Sequence, residues 1–244
     1  RPVELGGPRI RTLLAVLTAN AGRVTGVGAL ASALWGAASP PHAHRTVLTY
    51  LSRLRRALLP AATALGGREL LETHPAGYAL RLPAHLVDTQ RFERLVVEGR
   101  AALAGSRPEI AAESLSLALA LWRGEAYEEF AGVPALRSEA TRLRELRLSA
   151  MADRVDAELA TGAGGTLIDE LTGLTELYPG HDRWWAQLMV ALYRAGRQAD
   201  ASTVFGRARA VLVERFGLDP SPRLVETHRQ VLDNDVRLMH QGTR

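Results

Sequence analysis

The sequence contains no cysteine and no lysine: all 30 of its Lys-plus-Arg positions are arginine. The first absence removes disulfides, thiolate metal sites and cysteine nucleophiles. The second removes three chemistries at once, because a Walker A loop needs its lysine on the phosphates, a pyridoxal enzyme needs a Schiff-base lysine, and penicillin-binding-type hydrolases need Ser-x-x-Lys. A GC-rich genome accounts for the arginine bias without selection at any site. Long apolar runs are also missing. None reaches the roughly 18 to 20 residues that span a bilayer, and no charged-apolar-small signal segment opens the chain. The expectation is a soluble, cytoplasmic protein with no membrane partner. Aromatic residues make up only 5% of the chain, yet 47% of it is hydrophobic, enough to argue against disorder. A length of 244 residues allows about two domains, each with its own core.

Other enzyme signatures fail on inspection. Gly26-Val-Gly-Ala-Leu-Ala imitates a dinucleotide fingerprint, but a helical pattern precedes it and Arg45 and Thr46 stand where an acidic residue is needed. It reads as a helix start. The glycines around Gly164 read as a joint between helices. His42 and His44 are two apart and point to different helix faces, so no zinc set is expected. Ser52, Ser106 and Ser114 lack a Gly-x-Ser-x-Gly setting. No catalytic residue, metal or cofactor is expected, and Trp184 and Trp185 read as core.

What the sequence does have is a basic first third. Residues 1–84 carry ten arginines against three acidic residues, a local charge of +7, whereas residues 85–244 carry twenty arginines against twenty-three acids, a charge of −3. Within the first third, residues 31–58 read as a helix end, a loop broken at Ser39, Pro40 and Pro41, and a second helix. Advancing about 100° per residue, Val47, Leu51, Leu54 and Leu58 form one apolar stripe, while Arg45, Thr49, Ser52, Arg53 and Arg56 gather opposite. The bland reading is a solvated charged face. The functional reading is a recognition helix, because arginine pairs bidentately with guanine, and threonine meets a thymine methyl or a phosphate.

The fold class expected is mainly α. Helices at 8–21, at 27–35 opened by a Thr25 cap, and from the Pro-rich break to 58 are followed by a β-hairpin in which Leu71 and Thr73 alternate, a turn spans 74–77, and Tyr78, Leu80 and Leu82 alternate back. Three helices and a hairpin make a winged helix-turn-helix. A boundary is expected at 83–85, giving a DNA-binding domain over 1–84 and an all-helical domain over 85–244. Helices there are expected at 88–104, 108–122, 135–160, 166–178, 182–195, 198–216 and 221–238. Trp185, Leu188, Gly196, Ala201, Phe205 and Ala208 have tetratricopeptide-like spacing. Repeats at 92–122 and 143–177 fit less well, and the segment from Trp122 to Tyr127 fits no repeat.

Several stretches in order resemble one family: Leu5-Gly-Gly-Pro-Arg-Ile-Arg-Thr-Leu-Leu, Ala21-Gly-Arg-Val, Ala33-Leu-Trp-Gly, Thr46-Val-Leu-Thr-Tyr-Leu-Ser-Arg-Leu-Arg-Arg-Ala-Leu, Pro75-Ala-Gly-Tyr-Ala-Leu, Asp88 with Arg91-Phe-Glu-Arg-Leu, and Ala118-Leu-Ala-Leu-Trp-Arg-Gly. The chain is similar over nearly its whole length to the Streptomyces antibiotic regulatory proteins, activators of secondary-metabolite genes in actinobacteria. The resemblance implies an OmpR-type winged helix followed by a bacterial transcriptional activation domain. It also implies binding of double-stranded DNA at direct repeats near the −35 element as a tandem homodimer, and recruitment of RNA polymerase through its sigma factor. By position, it implies DNA contacts from Arg45, Thr46, Thr49, Arg53 and Arg55, and phosphate approach by Trp35 and Thr73. The helical wheel independently selects Arg56 and sets Arg55 nearer the buried stripe, which suits a phosphate contact better than base reading. His74 stands where many relatives carry arginine, so a wing contact there is expected to be weaker or pH-sensitive. The family's N-terminal sheet is expected to be trimmed to Pro2–Leu5, and larger relatives continue into an ATPase domain. Two other readings stay open: a helical scaffold for peptides or small molecules with an accessory basic module, and an enzyme acting on nucleotides.

Overall fold

The computed structural model describes residues 5–162, 164–235 and 237–240; residues 2–4 of the expected N-terminal sheet lie outside them. By internal packing the chain forms two units. One comprises the described residues up to Phe92 together with Leu121–Leu146, and the other comprises Glu93–Ala120 and the described residues from Arg147 onward. The cut expected at 84/85 follows the sequence pattern, whereas the packing assigns an interior segment, 121–146, to the first unit.

In the first unit, α1 (Pro8–Ala19), α2 (Val27–Trp35) and α3 (Ala43–Ala64) each bury one stripe against the others. Leu13, Leu17, Leu30, Val47, Leu51 and Leu54 are essentially inaccessible to water. Helix α3 continues six residues past Leu58, straight through Pro60. Proline there removes a bond to the Arg56 carbonyl and ordinarily costs about 3 kcal/mol. The stripe outweighs it, since Ala62 continues the buried line of Leu58 while Pro60 itself faces solvent. Thr25 is not a helix cap. Its backbone pairs with Tyr78 through N–H···O bonds of 2.7 and 3.0 Å, which ties the α1–α2 connection to the hairpin.

The hairpin consists of β1 (Leu71–His74) and β2 (Gly77–Leu80), antiparallel, with Leu71 opposite Leu80 and His74 opposite Gly77. The expected alternation holds only at its base. Leu71 and Leu80 are buried, whereas Thr73 is exposed and Tyr78 half-buried, as in a hairpin that leaves the core as it lengthens. Gly77 has a φ of +147°, and a Cβ there would sit 2.2 Å from the Thr25 carbonyl oxygen. Only glycine fits that crossing.

The second unit is helical among its described residues: the remainder of α4 (Asp88–Ala104), α5 (Pro108–Leu119), the larger part of α6 (Pro134–Ala160), α7 (Ile168–Leu177), α8 (Asp182–Arg194), α9 (Gln198–Val211), α10 (Pro222–Leu232) and the short α11 (Arg237–His240). Helix α8 is central, packing on α7, α9 and α10. Its Trp184, Trp185, Leu188 and Met189 are buried, and the Trp185 indole donates to the Pro179 carbonyl at 3.0 Å. Ala201 and Ala208 are fully buried on α9, so the tetratricopeptide-like spacing marks a closely packed helix pair. The helix expected at 221–238 breaks at Asn234, whose φ of +52° is left-handed, and the one expected at 198–216 ends in a π-helical turn over Leu212–Phe216. An ionic network centred on the buried Asp153 accompanies this core. Arg183 reaches Asp153 and Asp156 at 2.6 Å each, and Arg100 reaches Asp153 at 2.7 Å. Burial alone would depress the Arg183 guanidinium; the two carboxylates hold it above the usual arginine range.

Gly77→Ala is expected to lower the unfolding free energy by about 2 to 4 kcal/mol, because the new methyl collides with backbone that cannot swing away. Chemical denaturation checks this, and an unchanged midpoint would mean the hairpin does not need this crossing.

Candidate nucleic-acid interface

Because α3 buries Val47, Leu51, Leu54 and Leu58, its opposite face must meet solvent, and Arg45, Thr49, Ser52, Arg53 and Arg56 are all exposed on it. Among the described residues no ion pair or side-chain hydrogen bond occupies Arg45, Arg53 or Arg56. They are cations held on a rigid element with nothing to neutralise them. The threonines differ. The Thr46 hydroxyl donates to the His42 carbonyl at 3.0 Å and the Thr49 hydroxyl to the Arg45 carbonyl at 3.1 Å, bonds internal to the helix that a ligand can replace at little cost.

Arg55 sits apart from that face. Half-buried on the flank of α3, its guanidinium donates to the Leu71 carbonyl at 3.0 Å and to the Thr73 hydroxyl at 2.8 Å, and its Nε lies 2.8 Å from Glu69. Arg55 and Thr73 are therefore brought together by a direct hydrogen bond. The wheel angle pointed to this flank; the partner, Glu69, is one of the few acids in a basic module. Trp35 is half-buried, with the Arg9 guanidinium 5.5 Å from its ring centre, and Arg9 also donates to the Tyr50 hydroxyl at 3.3 Å. Sequence reading missed Arg9 and Tyr50, which no motif joins because 41 residues separate them.

On the wing, His74 is half-buried with Nε2 3.2 Å from Glu72, and Arg81 spans Glu72 at 2.9 Å and the Gly22 carbonyl at 2.9 Å. The hydrogen bond from Arg81, joined by that of His74, holds the Glu72 carboxyl below its ordinary range. Arg81 lay outside the sequence reading because its roles depend on a bend that brings Gly22 beside the hairpin. Away from this unit, Trp184 and Trp185 are buried and offer no face to a ligand. Among the described residues no group of three or more His, Cys, Asp or Glu side chains is arranged to hold a metal ion, and no helix is long and apolar enough to cross a membrane.

Known proteins are similar to this chain in sequence and shape. Residues 1–80 match the family described as "Transcriptional regulatory protein, C terminal", and residues 87–232 match "Bacterial transcriptional activator domain". The chain is 37% identical over 234 residues to regulatory protein AfsR of Streptomyces griseus, covering 96% of this chain but 23% of that protein. It is 34% identical over 235 residues to regulatory protein DnrI of Streptomyces peucetius, covering 95% and 86%. The structure of Mycobacterium tuberculosis EmbR in complex with a low affinity phosphopeptide is similar with a TM-score of 0.90 at 34% identity, covering 96% of this chain and 61% of that one.

Two outcomes follow from the wing contacts. Arg55→Met should lower stability by about 1 to 2 kcal/mol, the range for charged hydrogen bonds discounted for partial exposure. It should also speed amide exchange at the hairpin, and unchanged exchange would detach Arg55 from the wing. For Glu72, the folded pKa lies below the unfolded one. Its contribution is present above the unfolded value near 4.5 and disappears as pH falls through the lower folded value. An NMR titration should find its midpoint below that of an unfolded-peptide glutamate and shifted upward in Arg81→Ala.

Proposed function

Because the chain belongs to the Streptomyces antibiotic regulatory protein family of transcriptional regulators, which are not enzymes, we propose that it activates secondary-metabolite genes by binding promoter direct repeats near the −35 element. Two copies sit side by side on double-stranded DNA, and the helical array recruits RNA polymerase through its sigma factor. The observation that carries the DNA-binding step is the unneutralised arginine face of α3, with Arg45, Arg53 and Arg56 exposed opposite a fully buried stripe. A helix fits the major groove, and three guanidiniums on its outer side supply both phosphate attraction and bidentate base reading. The division of labour follows residues 1–84 and 85–244: a basic module that docks, and an acidic one that does not compete for phosphates.

Within this reading Thr46, Thr49 and Ser52 contact bases or phosphates between the arginines. Trp35, braced by Arg9, approaches a phosphate at the entry of α3. Arg55, Thr73 and His74 act where the wing meets the next stretch of backbone. The chain spans less than a quarter of AfsR and most of DnrI.

The test is selection of bound duplexes from a random pool, with Arg53→Ala alongside. Enrichment of a direct repeat spaced by about one helical turn is expected. Arg53→Ala should lose about 1 to 3 kcal/mol and relax one base position per half-site. Should the variant enrich the same repeat with equal affinity, the α3 face does not read DNA.

A further inference from the structure

The segment that fits no repeat, Trp122 to Tyr127, forms one wall of a cavity of about 400 Å³ contained in the first unit. Its floor and sides are apolar: Phe92, Leu121, Trp122, Tyr127, Phe130 and Leu143. Phe92 and Trp122 meet edge to face with ring centres 5.3 Å apart, which fixes the inner corner. Tyr127 adopts a left-handed backbone at φ +57°, a conformation costly for a bulky residue, and it turns the chain at the cavity wall. The volume lies within the range of small-molecule sites, and no part of the DNA-binding reading uses it.

The rim decides the charge of an occupant. Asp88, Glu125, Glu128 and Glu129 line the cavity against a single basic residue, Arg123. Three of these carboxylates already have cations: Asp88 has Arg123 at 3.6 Å, Glu125 has Arg144 at 3.1 Å, and Glu129 has Arg11 at 2.7 Å. Glu128 has no ion pair among the described residues. An aromatic-walled cavity with one uncompensated carboxylate at its mouth matches a molecule with a flat apolar body and one positive charge, since ring faces and carboxylate both favour a cation.

We infer that this cavity binds a small aromatic monoamine, with the ring system between Trp122 and Phe130 and the ammonium at Glu128. The site also touches α1 of the winged helix, because Thr18 lines it and Arg11 of the same helix bridges to Glu129. Its occupant braces segment 121–130 against the winged helix.

Tryptamine is the probe, titrated calorimetrically into the whole chain, with indole-3-propionate as the same ring bearing the opposite charge. Tryptamine should bind and raise the melting temperature, and indole-3-propionate should bind at least tenfold more weakly. Glu128→Gln, an exposed change that leaves the core untouched, should weaken tryptamine about three- to tenfold while leaving the melting temperature of the free protein unchanged. Absence of tryptamine binding overturns the inference, as does equal binding of the anionic analogue or equal binding by Glu128→Gln.

Discussion

The constraint on which the first unit depends is the two-sidedness of α3. Val47, Leu51, Leu54 and Leu58 have to be buried for the three-helix core to exist, and burying them turns Arg45, Arg53 and Arg56 outward. Folding energy and presentation of charge are thus one event. The same stripe is strong enough to carry the helix through Pro60, so α3 is longer than its sequence punctuation suggests.

From α3 the order spreads to the wing. Arg55 joins the flank of the helix to Leu71, Thr73 and Glu69, while Thr25 and Gly77 stitch the hairpin to the α1–α2 connection. A two-stranded hairpin alone is marginal in water. Here its base is buried, its crossing is fixed by a glycine, and Arg55 and Arg81 hold β1 through Leu71, Thr73 and Glu72. The helical unit is organised differently, around α8, whose two buried tryptophans and Arg183 network leave little of its surface free.

Much of this was legible in the sequence because periodicity reports burial directly. The α3 stripe, the base of the hairpin and most helices of the second unit follow from apolar spacing, and the exposed face of α3 follows by subtraction. Legibility failed where the cause is long-range. Thr25 resembles a helix cap in sequence, and only the approach of Tyr78 reveals it as a bridge. The pairings of Arg9 with Tyr50 and Arg81 with Gly22 join residues 41 and 59 positions apart. Segment 121–146 looked like part of the helical array and packs instead with the first unit, as Tyr127, Phe130 and Leu136 join the winged-helix core. The irregularity of Trp122 to Tyr127 was visible, but the cavity it creates was not.

The central claim, that the exposed face of α3 lies against DNA, is tested most directly by placing a photocrosslinking side chain at Ser52, midway along that face, and another at the exposed Thr203 of α9. With a selected duplex, the account predicts crosslinks to DNA from position 52 and none from position 203. Crosslinking from position 203, with none from position 52, would contradict it.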